Sequence, residues 1–286
     1  MTQYSKYFSP DLLVGKTVLI TGGGTGLGRA MGMKFMTLGA NVVICGRRNE
    51  VLETAASQLR EAGSGFVETY RCDIRSSEEV EAMMQSISEK TPIDILVNNA
   101  AANFIAQSAA LSARAADAIL AVTLHGTMYV TLAAGRHWIE SGRTGVVLSI
   151  LSTSTITGRA FTVPSAMAKT ALLAMTKSLA VEWGSKGIRL VALAPGNFPT
   201  KGAQAQLNPS DRKSKNTNEE TAIPLGRVGD PDELSDCAAF LVSDAARYMT
   251  GEMVVLDGGL HFTGSGAEDL LTWSDKDWAA LREQRK

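Results

Sequence analysis

The chain has 286 residues, 45% of them hydrophobic and 20% charged, with a formal net charge of −1. A chain of this length buries about three quarters of its unfolded surface and needs no disulfide or metal staples, and the balanced charge, with no Lys/Arg cluster, excludes nucleic acid as a partner. No run approaches the ~18 uninterrupted apolar residues of a membrane span, so no membrane partner is expected.

In chain order, the first residues, MTQYSKYFSPD, lack the apolar stretch of a secretory leader. Thr17–Ile20 predicts a strand, which runs into Thr21-Gly22-Gly23-Gly24-Thr25-Gly26-Leu27-Gly28 and then a helical pattern over Arg29–Leu38. Further strands are expected at Asn41–Cys45, Val67–Arg71, Ile93–Val97, Gly145–Ile150, Arg189–Ala194 and Met253–Leu256. Their apolar character is continuous rather than alternating, as in strands buried on both faces. Between them lie helical patterns at Glu50–Ala62, Ser77–Lys90, Ala115–Trp138, Ser165–Trp183 and Asp230–Leu241. The alternation implies right-handed crossovers and a single-domain, doubly wound α/β Rossmann fold of about seven parallel strands with helices on both faces. The core is expected over 15–260, with a long polar loop at 196–221 and an extension at 261–286 that reads equally as a helical tail or a partner contact. The three cysteines, Cys45, Cys72 and Cys237, are far apart and read as reduced thiols. His125, His137 and His261 lack ligand spacing, so no metal is expected.

The glycine turn has the context a phosphate-binding turn requires, a strand before it and a helix after it. Gly22 suits a tight turn, Gly26 lets the backbone approach a pyrophosphate, and Gly28 allows close helix packing. Thr21, Gly24, Thr25 and Leu27 complete the cradle, and the helix N-terminus offers unpaired N–H groups to a dinucleotide. An NAD site usually places an acid at the end of the next strand, ~20 residues on. Here the sequence is Cys45-Gly46-Arg47-Arg48, with two guanidinium groups suited to a 2′-phosphate, so NADP is expected.

The spacing Gly22-x-x-x-Gly26-x-Gly28, with Asn98-Asn99-Ala100 after the fourth strand, resembles the short-chain dehydrogenase/reductase (SDR) family over roughly Gly15–Leu260. The resemblance implies that Asp73 and Ile74 contact adenine, that Asn99 and Ala100 flank the cofactor, and that Pro195-Gly196 and Thr200 form its nicotinamide-side turn. The family's Tyr-x-x-x-Lys pair is here Ser165-x-x-x-Lys169. Ser152 falls at the family's serine position and Thr123 at its asparagine position. A phenol beside a lysine can be tuned into a proton donor at neutral pH, whereas an aliphatic hydroxyl is far less acidic. That disfavours alcohol–ketone interconversion.

Ile20–Gly28 (ITGGGTGLG), Asn98–Ile105 (NNAAANFI), Val163–Lys169 (VPSAMAK), Ala180–Gly184 (AVEWG) and Pro195–Ala203 are similar to the 2,4-dienoyl-CoA reductase branch of that family. The resemblance implies NADPH-dependent reduction of a conjugated acyl-CoA thioester in unsaturated fatty acid β-oxidation, with Lys169 holding the cofactor ribose and Asn103 binding the thioester oxygen. Ser152 and Ser165 join them as candidate catalytic residues. The mitochondrial-type tyrosine position is Ser154 and the peroxisomal-type aspartate position is Thr123, so the proton source is unassigned among Ser152, Thr153, Ser154, Thr155, Ser165 and an ordered water. Bland roles stay open: Asn103 as a helix cap, Ser152 as a strand-end bond, Ser165 as a cap or packing residue. An SDR acting on a carbonyl or alcohol, and an NADP-binding protein without turnover, also stay open. Lys201, Arg212, Lys213 and Lys215 of the long loop are candidates to meet CoA phosphates. The family likeness implies a homotetramer built through the two long helices. The C-terminal REQRK is not a peroxisomal signal, so a cytoplasmic location is expected.

Overall fold

The computed structural model describes residues 7–200, 222–264 and 266–284. The strands are β1 (Thr17–Thr21), β2 (Asn41–Gly46), β3 (Val67–Arg71), β4 (Ile95–Asn98), β5 (Gly145–Ile150), β6 (Ile188–Pro195) and β7 (Met253–Leu256). They form one sheet of order β3-β2-β1-β4-β5-β6-β7, every pair parallel. Consecutive residues of each central strand serve opposite faces. Val18, Ile20, Val42 and Ile44 pack into one apolar cluster, and Leu19, Val43, Leu96 and Val147 into the other. Both faces being dry explains why the strands read as unbroken apolar runs.

The first cluster is closed by α1 (Gly26–Thr37), α2 (Asn49–Ala62) and α8 (Pro231–Val242). The second is closed by α3 (Ser77–Lys90), α5 (Thr127–Glu140) and α7 (Val163–Trp183). Local chemistry sets several boundaries. Ser76 caps α3 by accepting from the Glu79 N–H at 3.1 Å. Asp230 and Glu233 form a reciprocal capping box ahead of Pro231 in α8. At α1, by contrast, Thr25 stands at the cap without a side-chain bond to the first turn, which leaves its N–H groups to a ligand.

The expected helix Ala115–Trp138 is a continuous helical rod of three parts: α4 (Ala113–Leu120), a π-helical stretch at Ala121–Gly126, and α5. By length and composition Ala113–Glu140 matches a membrane span, yet half of its most apolar window is buried within the molecule. The helix expected at Ser165–Trp183 begins two residues earlier, with Thr162 at its cap and Pro164 in its first turn. Ser165 is therefore not the cap. The extension carries a short helix, α9 (Asp275–Gln284), and Trp273 lies against Trp278 with ring centroids 5.0 Å apart. Lys201, Arg212, Lys213 and Lys215 lie outside the described residues.

The winding direction reverses between β1 and β4. At such a switch point the loops leaving the two strands part and open a crevice beyond their C-terminal ends.

Candidate functional site

The crevice is a cavity of about 480 Å³ running from the glycine turn to the start of α7. Its floor on one side is the β1–α1 turn, where Gly22, Gly24, Thr25 and Leu27 line the wall. Gly22 has a left-handed backbone (φ +66°) and its N–H donates to the Cys45 carbonyl at 2.9 Å, tying the turn to β2. A Cβ on Gly28 would meet Asn99 Nδ2 at 2.5 Å and the Gly22 carbonyl oxygen at 2.8 Å. So Gly28 makes room for the β4 loop rather than for the sheet. Thr21, Gly26 and Gly28 are not among the residues lining the cavity.

Thr21 instead brackets the switch point. Its hydroxyl accepts from the Asn99 and Ala100 N–H groups at 3.0 and 3.1 Å. The Asn99 side chain returns the tie by donating to the Thr21 and Gly22 carbonyls at 3.0 and 3.3 Å. Thr200, carried over from the far side after β6, lines the cavity and approaches Gly26 closely, with its hydroxyl 3.7 Å from where a Cβ would sit. The turn is thus clamped from β4 and covered from β6.

At the β2–β3 end the wall is Cys45, Gly46, Arg47 and Arg48, then Cys72, Asp73 and Ile74. Arg47 and Arg48 are exposed and border the cavity, with no carboxylate on the strand end. The Asp73 carboxylate is engaged by Arg75, whose Nε lies 2.9 and 3.0 Å from its two oxygens, and these hydrogen bonds hold the Asp73 carboxyl below its ordinary value. Burial pushes the Cys72 thiol up to about 11 and raises Cys45 further, so both stay neutral beside the ligand.

The other half of the cavity is made of side chains. Lys169, only 7% exposed, donates from Nζ to the Ile150 carbonyl at 2.5 Å, and burial pushes its ammonium down to about 8. Ser165 lines the cavity one helical turn before it, and its hydroxyl has no hydrogen-bond partner among the described residues. Ser154, the first residue of the short helix α6 (Ser154–Thr157), donates from Oγ to Ser152 Oγ at 3.1 Å, and its N–H donates to the same oxygen at 3.2 Å. Ser152, Ser154 and Ser165 line the cavity; Thr153 and Thr155 do not. Thr155 is turned to the Ser152 carbonyl at 2.8 Å.

Asn103 lines the cavity with its Oδ1 buried and unpartnered, and it caps no helix. A buried carbonyl oxygen without a donor is costly, so the Asn103 side chain is held in a polar gap of the cavity wall with its amide facing the space a ligand would fill. Pro195 and Gly196 close the cavity at the end of β6, where Gly196 leaves room for Asp257. The sequence reading did not single out Val122, Arg159 or Thr162, which also line the cavity. The only local signal for Arg159 is its position after Gly158 in the turn ahead of α7. Among the described residues no group of three His, Cys, Asp or Glu could hold a metal ion.

A cleft at a switch point, floored by a glycine turn and ending at a buried lysine, is the arrangement of α/β oxidoreductases that work with a dinucleotide. Residues 22–261 match the family model described as enoyl-(acyl carrier protein) reductase. The chain is 41% identical over 271 residues to Probable 2,4-dienoyl-CoA reductase 3 [(3E)-enoyl-CoA-producing] of Caenorhabditis elegans, covering 93% of this chain and 88% of that protein. It is 39% identical over 246 residues to Probable 2,4-dienoyl-CoA reductase [(2E)-enoyl-CoA-producing] of Bacillus subtilis, covering 85% and 96%. A crystal structure of a short chain dehydrogenase from Bacillus anthracis superposes with a TM-score of 0.77 at 38% identity, covering 86% of this chain and 96% of that one. The chain belongs to the short-chain dehydrogenase/reductase family and is an oxidoreductase of that family, whose members use a nicotinamide cofactor.

Proposed function

We propose that this protein is an NADPH-dependent reductase of 2,4-dienoyl-CoA thioesters, working in the oxidation of unsaturated fatty acids. The observation that carries the reading is that a buried lysine, Lys169, and Asn103 line one cavity whose Tyr-x-x-x-Lys position holds Ser165. Such a set lacks a phenolic acid for a carbonyl oxygen but keeps a donor for an enolate oxygen. Bound there, NADPH would supply a hydride to the far end of the conjugated system. Negative charge then moves to the thioester oxygen, where the Asn103 side-chain NH2 donates a hydrogen bond and the Lys169 ammonium supplies a fixed positive field. One proton taken up at carbon completes the balance: dienoyl-CoA, NADPH and a proton give enoyl-CoA and NADP. Protonating carbon asks less of an acid than protonating an alkoxide, which suits a site furnished with hydroxyls.

Arg47 and Arg48 support NADP over NAD, because guanidinium groups beside the adenosine ribose favour a 2′-phosphate and no acid opposes it. The same reading places Gly24, Thr25 and Leu27 at the pyrophosphate and Lys169 at the nicotinamide ribose. A homotetramer and a cytoplasmic location belong to it as well. The deciding experiment mixes the protein with NADPH and a 2,4-dienoyl-CoA and follows both chromophores, with the position of the product double bond read by mass spectrometry. Loss of both absorbances at equal molar rates is expected, with a 3-enoyl-CoA product. Tight NADPH binding with no consumption on dienoyl, enoyl or ketoacyl thioesters would overturn the reading in favour of a cofactor-binding protein without turnover.

A further inference from the structure

Thr123 does not line the cavity; it sits behind the wall with no exposed surface. Its hydroxyl accepts from the Ala102 N–H at 3.0 Å and donates to the Ala102 carbonyl at 3.2 Å. One side-chain oxygen therefore satisfies both backbone polar groups of a single residue. The Ala102 N–H belongs to the peptide plane before that residue and its carbonyl to the plane it shares with Asn103. Because each plane is rigid, fixing both leaves Ala102 little rotational freedom and sets the direction in which Asn103 leaves the chain. The hydroxyl proton is committed to the Ala102 carbonyl, so Thr123 is not the missing acid.

The backbone around Thr123 is unusual in the same place. Ala121–Gly126 is wound as a π-helix in the middle of a rod that is otherwise α-helical, and π turns appear mostly at functional sites. The wide turn lets Val122 reach the cavity while its neighbour Thr123 reaches the Ala102 loop. Gly126 ends the stretch against Ile74, where a Cβ would come within 2.6 Å of the Ile74 side chain, so the π segment is braced on the cofactor side too. The Asn103 Oδ1 that this loop carries is buried without a partner, so the side-chain oxygen does nothing to hold the direction of the amide.

We propose that Thr123 is a positioning residue: it clamps Ala102 and thereby aims the Asn103 amide at the thioester oxygen. The inference rests on the role of Asn103 given above. It predicts that Thr123→Val, which keeps the volume and loses both bonds, lowers kcat about 100-fold, as a misplacement of about 1 Å does. The Kd and KM for NADPH stay within about twofold of wild type, and Thr123→Ser restores kcat to within about threefold. In an Asn103→Ala background the valine causes little further loss, because the group it misdirects is already gone. Additive losses, or a kcat that falls only as far as the NADPH affinity does, would overturn the inference.

A second measurement needs no turnover. In the NADPH complex, amide hydrogen exchange over residues 101–106 should accelerate in Thr123→Val and remain slow in Thr123→Ser, with β4 and α5 unchanged. Unchanged exchange over 101–106 in Thr123→Val overturns the inference whatever the kinetics. If the valine variant does not fold, Thr123→Ala is read by the same exchange criterion. A wild-type protein that consumes no NADPH on dienoyl-CoA overturns the proposed function alone, and the exchange result still decides the role of Thr123.

Discussion

The two halves of the cavity, on either side of the β1–β4 gap, are built by different means. On the β3-β2-β1 side the surface is backbone: a glycine turn, an uncapped helix start and strand ends, with the guanidinium groups of Arg47 and Arg48 at the rim. On the β4–β7 side it is side chain: Lys169 on α7, the Ser152–Ser154 pair after β5, and Asn103 on the loop after β4. A backbone cradle suits a ligand that is the same in every turnover, since N–H groups and helix ends recognise phosphate without side-chain chemistry. A side-chain wall can be changed one residue at a time. On the proposed function, holding the cofactor and choosing the reaction would be separated within one cavity.

The largest effect is expected from Lys169→Met, which should cut dienoyl-CoA turnover about 1,000-fold by removing the positive charge facing the developing anion. The pH dependence of the wild type sharpens this. Activity should decline as pH rises through about 8, where the buried ammonium loses its proton. Stability should move the other way. The folded value lies below the ordinary 10.5, so between about 8 and 10.5 the unfolded chain binds more protons and the fold gains stability as pH rises. Measured without cofactor, the wild-type Tm should rise relative to that of Lys169→Met as pH goes from about 8 to 10.5. A pH-independent difference would rule out the buried cation.

Asn103→Ala should lower kcat about 100-fold and leave the NADPH Kd unchanged, as fluorescence quenching would report. An active alanine variant would remove Asn103 from the mechanism. The converse test addresses the backbone half. Replacing Arg47 and Arg48 together by serine should weaken NADPH about 10–100-fold while NADH binding changes little. Equal weakening of both nucleotides would mean that the pair acts through the helix start rather than through a 2′-phosphate.

The smallest effect tests whether the halves are separate at all. Gly28→Ala puts a methyl group against Asn99 Nδ2 and the Gly22 carbonyl, which must shift to admit it. A loss of about 1–3 kcal/mol in denaturant unfolding is expected, with weaker dinucleotide binding and an unchanged Asn103 effect. Were Gly28→Ala to depress kcat at saturating cofactor, the comparison between the two halves would fail, because the turn and the substrate wall would be moving together through Asn99.

Much of the fold is legible in the sequence because its signals are local. Val67–Arg71, Gly145–Ile150, Met253–Leu256 and Ser77–Lys90 have the same limits in the structure as the apolar patterning predicts. The phosphate turn is legible for the same reason: Gly22 must adopt φ +66°, a conformation its own residue type permits. Lys169, Ser152 and Ser165 were reached through the resemblance to the short-chain dehydrogenase/reductase family, whose serine and Tyr-x-x-x-Lys positions they occupy. Among the described residues the largest departure from local signals is in the helix over 113–140, whose π turn no periodicity announced.

By itself, then, the sequence determined the order of strands and helices, the glycine turn and its arginine rim, and the residue types offered to the substrate. The tertiary structure decided how those groups are held. Thr21 and Asn99 bond across 78 residues of chain, and Thr123 reaches Ala102 across 21. Neither bond leaves a trace in spacing or composition, because each depends on two segments meeting at the switch point of the sheet. The same meeting leaves the Asn103 Oδ1 buried and unpaired, a property of its surroundings that no single residue encodes.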